Sequence, residues 1–282
     1  MDKKNKKDNN LLTALKGLII GGTMLVPGVS GGSMAMILGI YDRLISSVSS
    51  FMKNKKENLI FLVIFSMGGI LGILLFANPL LQLIERYPMP MMYFFIGAVA
   101  GGVPLIVRQS GAKKLTWRIA GYVVLGLIAV LALGLLPPDL FSAENSTGVT
   151  GFLLLLVAGF VTAAALVLPG VSVSYLLLIL GLYDRTMNAI STLHLPFLLP
   201  LGIGLVLGIV LITRALERAL ESHPHPSYFI ILGFLLGSVF EIFPGIPQGI
   251  LLPVCILTFA AGFSAIFFLS RMETKKEGAV GK

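Results

Sequence analysis

Long apolar stretches alternate with short polar ones along most of the 282 residues. Runs such as 151–168 and 251–269 hold no charged residue, and they approach or reach the ~20 apolar residues a helix needs to cross a bilayer. Uninterrupted apolar segments at about 58–84, 90–108, 117–137, 196–220, 227–243 and 250–270 predict six long helices. Two further apolar segments are broken near their middle by Pro27-Gly28 and by Pro169-Gly170. Each limb beside a break has roughly 16 residues, about 24 Å if fully helical. That falls short of a ~30 Å hydrocarbon core. A re-entrant hairpin, entering and leaving on the same side, fits each broken segment better than two crossings.

The pattern repeats. Positions 27–43 and 169–185, at a constant offset of 142, are identical at ten of seventeen places, each opening on Pro-Gly-Val-Ser and closing on Tyr-Asp-Arg. Further on the offset becomes 136: Gly68 pairs with Gly204, Gly72 with Gly208, Glu85 with Glu221, Pro88 with Pro224, Gly97 with Gly233, Gly101 with Gly237 and Gly126 with Gly262. The chain is therefore one transmembrane domain, 1–282, made of two copies of a unit, 11–137 and 150–270. A polar linker with Asp139 and Glu144 joins them. Each copy reads as a hairpin followed by three transmembrane helices.

Composition agrees with a polytopic, all-α membrane protein: 56% of residues are hydrophobic and 12% charged, against about 25% charged in soluble domains. The net charge of +8 raises the question of nucleic acid, but its Lys and Arg residues lie between apolar segments, which is a topogenic pattern. Re-entrant hairpins put the N-terminal stretch, 53–57, 108–118, 214–218 and the C-terminal tail on one side, with 18 of the 21 Lys and Arg residues. That side is expected to be cytoplasmic, termini included. Three crossings per copy is odd, so the second copy is expected to be inverted, its hairpin dipping in from outside. No Ala-x-Ala-like site follows the first apolar run, and no removed signal peptide is expected. The single Cys255 excludes an internal disulfide.

The repeated motif has chemistry to offer. Proline breaks the incoming helix and glycine permits reversal. Ser30-Gly31-Gly32-Ser33 then opens the second limb with unpaired backbone N–H groups and two hydroxyls, an arrangement suited to a phosphate. In the second copy Ser172 and Ser174 are the equivalents, and Val173 replaces a glycine, which makes a stiffer and poorer cradle. Inverted repeats with interrupted helices meeting at mid-membrane are an architecture of secondary transporters. Asp42-Arg43 and Asp184-Arg185 lie 14 and 15 residues past Gly28 and Gly170, about 21–23 Å along a straight helix. They are expected at the hairpin mouths, where each arginine could draw in a phosphate head group or simply snorkel. Glu85 and Glu221 are candidates for proton coupling, with solvated surface charge as the plainer reading. His194, His223 and His225 fall outside any metal spacing, and neither a metal nor a cofactor is expected.

The stretches LVPGVSGGSMAMILGIYDRLI and LVLPGVSVSYLLLILGLYDR resemble the polyprenyl-phosphate transporter family, and the likeness extends over nearly the whole chain. This resemblance implies return of undecaprenyl phosphate from the outer to the inner leaflet of the bacterial cytoplasmic membrane, recycling the lipid carrier of wall synthesis. It carries over to Pro27, Gly28, Ser30, Asp42 and Arg43, and to Pro169, Gly170, Ser172, Asp184 and Arg185. The implied partners are a polyprenyl-phosphate lipid and the surrounding membrane lipids; nucleic acid is not among them, and a homo-oligomer is left open.

Two alternatives remain at this point. Undecaprenyl-pyrophosphate phosphatases also combine membrane hairpins, inverted repeats and a Pro-Gly-x-Ser turn, but theirs is typically followed by Arg-Ser and supported by a glutamate-rich motif. Here Gly31-Gly32 and Val173-Ser174 follow, with no acidic residue in the first hairpin before Asp42, so the reading is a transporter and not an enzyme. A transporter of a soluble anion is the other alternative.

Overall fold

The computed structural model describes residues 9–24, 30–112, 116–135 and 148–279. Within them the regular structure consists of twelve helices: α1 (Asn10–Thr23), α2 (Gly31–Ile37), α3 (Tyr41–Ser49), α4 (Lys55–Arg86), α5 (Pro88–Gln109), α6 (Trp117–Gly134), α7 (Gly148–Val167), α8 (Val173–Ile179), α9 (Tyr183–Ser191), α10 (Leu195–Ser222), α11 (Pro224–Ile242) and α12 (Leu251–Ala279). Six are long and apolar enough to cross a membrane: α4, α5, α7, α10, α11 and α12. The long helices thus do not divide three and three as the uninterrupted segments do. The α7 helix, a hairpin limb in the sequence reading, has 20 residues and qualifies, whereas the apolar part of α6, Trp117–Leu133, is shorter.

The second limb of each broken segment is not one straight helix. After α2 the Gly39 amide donates to the Met36 carbonyl at 3.1 Å and the Ile40 amide to that of Ala35 at 3.0 Å. After α8 the same pair of bonds runs from Gly181 to Leu178 at 2.9 Å and from Leu182 to Leu177 at 2.9 Å. These are Schellman closures, which need a left-handed residue. Gly39 and Gly181 supply it, with φ of 68° and 66°. A new helix then starts at each Tyr-Asp-Arg, placing Asp42 and Asp184 in the first turns of α3 and α9, where a carboxylate complements the helix dipole. The straight-helix distance from turn to arginine therefore overestimates the separation.

The chain packs as two compact units, one of residues 1–105 with 242–282, the other of residues 106–241. They are a different division from the sequence copies 11–137 and 150–270: the last helix of each copy packs with the other copy's helices. In the first unit, Gly97 and Gly101 of α5 lie against the Phe259 and Phe263 carbonyls of α12, and Gly262 of α12 against the Phe94 carbonyl. In the second, Gly233 of α11 lies against the Val123 carbonyl of α6, and Gly126 of α6 against the Ile230 carbonyl.

The α1–α4 pair of the first unit is matched by α7–α10 of the second, contact for contact. Gly17 meets the Phe65 carbonyl, Gly68 that of Ala14 and Gly72 that of Leu18; Gly159 meets Leu201, Gly204 meets Leu156 and Gly208 meets Phe160. Every member of the second set lies at the sequence offsets of 142 and 136. Small residues let backbones approach closely where hydrocarbon supplies no hydrophobic drive to association. The outward faces are apolar, as Met67, Leu74, Val206 and Leu257 show. Lys16, on α1, is only 4% exposed.

Candidate functional site: two serine turns and two stacked arginines

In the first unit, Ser30 caps α2. Its Oγ accepts from the Ser33 amide at 3.1 Å and shares a hydrogen bond of 2.7 Å with the Ser33 hydroxyl. Ser33 and Gly32 are buried, while Ser30 and Gly31 are half-buried beside Met24, whose Sδ lies 3.1 Å from where a Gly31 Cβ would stand. The two hydroxyls therefore form one polar spot in an apolar setting. Pro27 and Gly28 lie outside the described residues.

The second unit shows the turn itself. Pro169 is buried, and Gly170, at φ 85°, approaches α11 so closely that a Cβ would meet the Phe234 carbonyl. Only glycine meets both demands. Ser172 is half-buried, and its carbonyl accepts from the Leu176 amide at 3.0 Å, opening α8. Ser174 falls inside α8, but its side chain lies outside the description.

Each arginine stacks on a phenylalanine. The Arg43 guanidinium stacks over the Phe61 ring, 4.7 Å from its centroid. Its Nη1 donates to Asn58 Oδ1 at 2.8 Å and to Ser47 Oγ at 3.0 Å. Asn58 is buried and in turn donates Nδ2 to the Ser50 carbonyl at 3.2 Å. One guanidinium face is thus occupied by an aromatic ring, and a buried amide fixes its direction. In the second unit Arg185 stacks over Phe197 at 5.6 Å, and Phe61 and Phe197 are themselves repeat mates. The rest of the arrangement differs, because Ala189 and His194 stand where the first unit has Ser47 and Asn58. Arg43 and Asp42 are half-buried, whereas Arg185 and Asp184 are exposed. Sequence reasoning missed Asn58, Ser47 and both phenylalanines; the available signal was the offset of 136, which aligns Phe61 with Phe197.

Comparison with known proteins adds the class. Residues 20–249 match the model of a family described as undecaprenyl phosphate translocase-like. The chain belongs to that family. A polyprenyl-phosphate transporter of Staphylococcus aureus is 32% identical over 281 residues, covering 94% of this chain and 98% of that protein. One of the same name from Vibrio cholerae is 32% identical over 256 residues, covering 85% of this chain and 79% of its own length. Both relatives are transporters by name, not enzymes. No solved structure matches the chain.

Glu85 and Glu221 are exposed in the last turns of α4 and α10. The chain is a multi-pass membrane protein by its six apolar helices. Among the described residues no group of three His, Cys, Asp or Glu side chains comes together to hold a metal ion.

Proposed function

We propose that this chain carries a polyprenyl phosphate across the bacterial cytoplasmic membrane, returning the phosphate head group from the outer to the inner leaflet while the tail stays in lipid. The observation that carries the proposal is the likeness, over most of the chain, to two proteins named polyprenyl-phosphate transporter. The serine turns and stacked arginines support it, because a hydroxyl pair near backbone N–H groups and a guanidinium are groups that a phosphate recognises.

In this reading each Pro-Gly turn is the tip of a re-entrant hairpin, and the charge distribution of the loops sets the second copy inverted, with both termini cytoplasmic. The head group is collected near Arg185, passes the serine turns and leaves past Arg43. The exposed Arg185 suits collection, while the clamped Arg43 suits a fixed guide. The two copies alternate access by moving against each other. An anion moving toward a negative interior costs about 2.3 kcal/mol per charge per 100 mV, so a proton or cation moves with it; Glu85 and Glu221 are the candidate carriers.

The test is a reconstitution in proteoliposomes containing a polyprenyl phosphate, with an impermeant reagent that modifies only exposed head groups. Protein should raise the modifiable fraction above that of empty vesicles, with no phosphate released. Equal fractions refute the proposal. Uptake of free phosphate with unchanged lipid accessibility replaces it by a soluble-anion carrier.

A further inference from the structure

Lys16 carries a charge that the proposed function has not used. It lies on the buried face of α1 with Thr13, Gly17 and Ile20, and it is 4% exposed. Its depth follows from the helix register. The α1 and α4 helices run parallel, Ala14 against Gly68 and Leu18 against Gly72, which puts Lys16 close to the level of Gly68. That level is 13 residues past Lys55, about 20 Å along α4, and well inside the apolar span Lys55–Phe76. Along α1 itself Lys16 is six residues, about 9 Å, past the exposed Asn10, and at 4% exposure its ammonium is buried there instead of snorkelling to water. Intramembrane cations of this kind are costly, and they mark substrate or ion pathways.

The same register orders three polar stations in the first unit. Arg43 stacks on Phe61, seven residues before Gly68 and about 10 Å nearer the start of α4. The Ser30–Ser33 turn lies against Met24, eight residues beyond Lys16 and about 12 Å further on. Lys16 stands between them. At the matching position the second unit has a buried alanine, Ala158, so only one copy has a cation at this depth.

We propose that Lys16 is a phosphate-binding residue on the transport path, the intermediate station between the serine turn and Arg43 in the first unit. The assignment rests on the polyprenyl-phosphate reading above. It makes the path electrostatically lopsided: the anion meets a buried positive charge in the first unit and a methyl group at the equivalent place in the second.

The experiment compares wild type, Lys16→Arg, Lys16→Met and Lys16→Gln in proteoliposomes with a polyprenyl phosphate, recording transport rate against lipid mole fraction and the melting temperature of each protein. A folded neutral variant should lose at least tenfold in kcat/KM, and Lys16→Arg should keep most of it. Binding is read separately, as the rise in melting temperature on adding farnesyl phosphate, with farnesol as the uncharged control. That phosphate-specific rise should shrink in the neutral variants and persist in Lys16→Arg. Transport by Lys16→Met or Lys16→Gln at the wild-type rate overturns the assignment. So does an equal loss in all three variants, which would mark a packing role, or folding of Lys16→Arg alone, which would mark a charge needed by the fold. A wild type that moves no lipid removes the function itself, and this assignment with it.

Discussion

Replacing Asn58 by leucine should unhook Arg43 without leaving a hole, because the two side chains share the same branched heavy-atom skeleton and leucine is the larger. The substitution removes the 2.8 Å bond from the guanidinium, of a class that contributes about 1.5–3 kcal/mol. It also removes the 3.2 Å bond to the Ser50 carbonyl, a neutral bond contributing about 0.5–1.5 kcal/mol. The expected destabilisation is about 2–4 kcal/mol. Hydrogen bonds between membrane helices average only ~0.6 kcal/mol in double-mutant cycles, so the prediction separates a charged clamp from an ordinary contact. The assay is reversible unfolding in mixed micelles for Asn58→Leu, Arg43→Met and the double variant. Coupling between the sites should be about 1.5–3 kcal/mol. His194→Leu is the control at the repeat-matched position; His194 is exposed, and its loss should cost no more than about 0.5 kcal/mol. Additive single effects, or equal effects of Asn58→Leu and His194→Leu, would refute the clamp.

Gly68→Ala and Gly204→Ala drive a methyl into the Ala14 and Leu156 carbonyls and should each destabilise by about 1–3 kcal/mol in the same assay. Gly202→Ala meets nothing within 4 Å and should be neutral, or stabilise by up to ~1 kcal/mol through helix propensity. At the left-handed closures, Gly39→Ala and Gly181→Ala should each cost about 1–2 kcal/mol, shifting the melting temperature of the detergent-solubilised protein by similar amounts. Cys255, at 0% exposure, should resist maleimide in the folded protein and react fully once it is unfolded, as gel-shift labelling would show.

What the sequence conveyed well was local. The six long apolar segments and the polar punctuation between them depend on residue type alone, and helices occupy them. The offsets of 142 and 136 pair the glycines that make the close helix contacts, since a duplicated close approach needs a small residue in both copies. The break at Gly39 was harder to see, because a lone glycine in an apolar stretch reads equally as helix packing. Recognising it requires the Schellman bonds, which are backbone geometry. The Arg43 clamp was also hidden: Asn58 sits fifteen residues away in a stretch that reads as the start of a membrane helix. Lys16 misled for a related reason. It follows a basic terminus in the sequence, and only the register of α1 on α4 shows where it lies.

The exchange of last helices has a consequence for how such a chain can be divided or assembled. A fragment ending in the 138–147 linker would hold α6 without α11 and α5 without α12, leaving glycine-lined faces on both with no backbone to meet. Neither sequence copy is thus a self-sufficient folding unit, and the two fragments should accumulate only when made together in the same membrane. A one-copy forerunner with this packing would have had to trade its final helix with a second molecule. Dimerisation would then have been a condition of folding from the outset, and fusion of the copies would have made a compulsory partnership permanent.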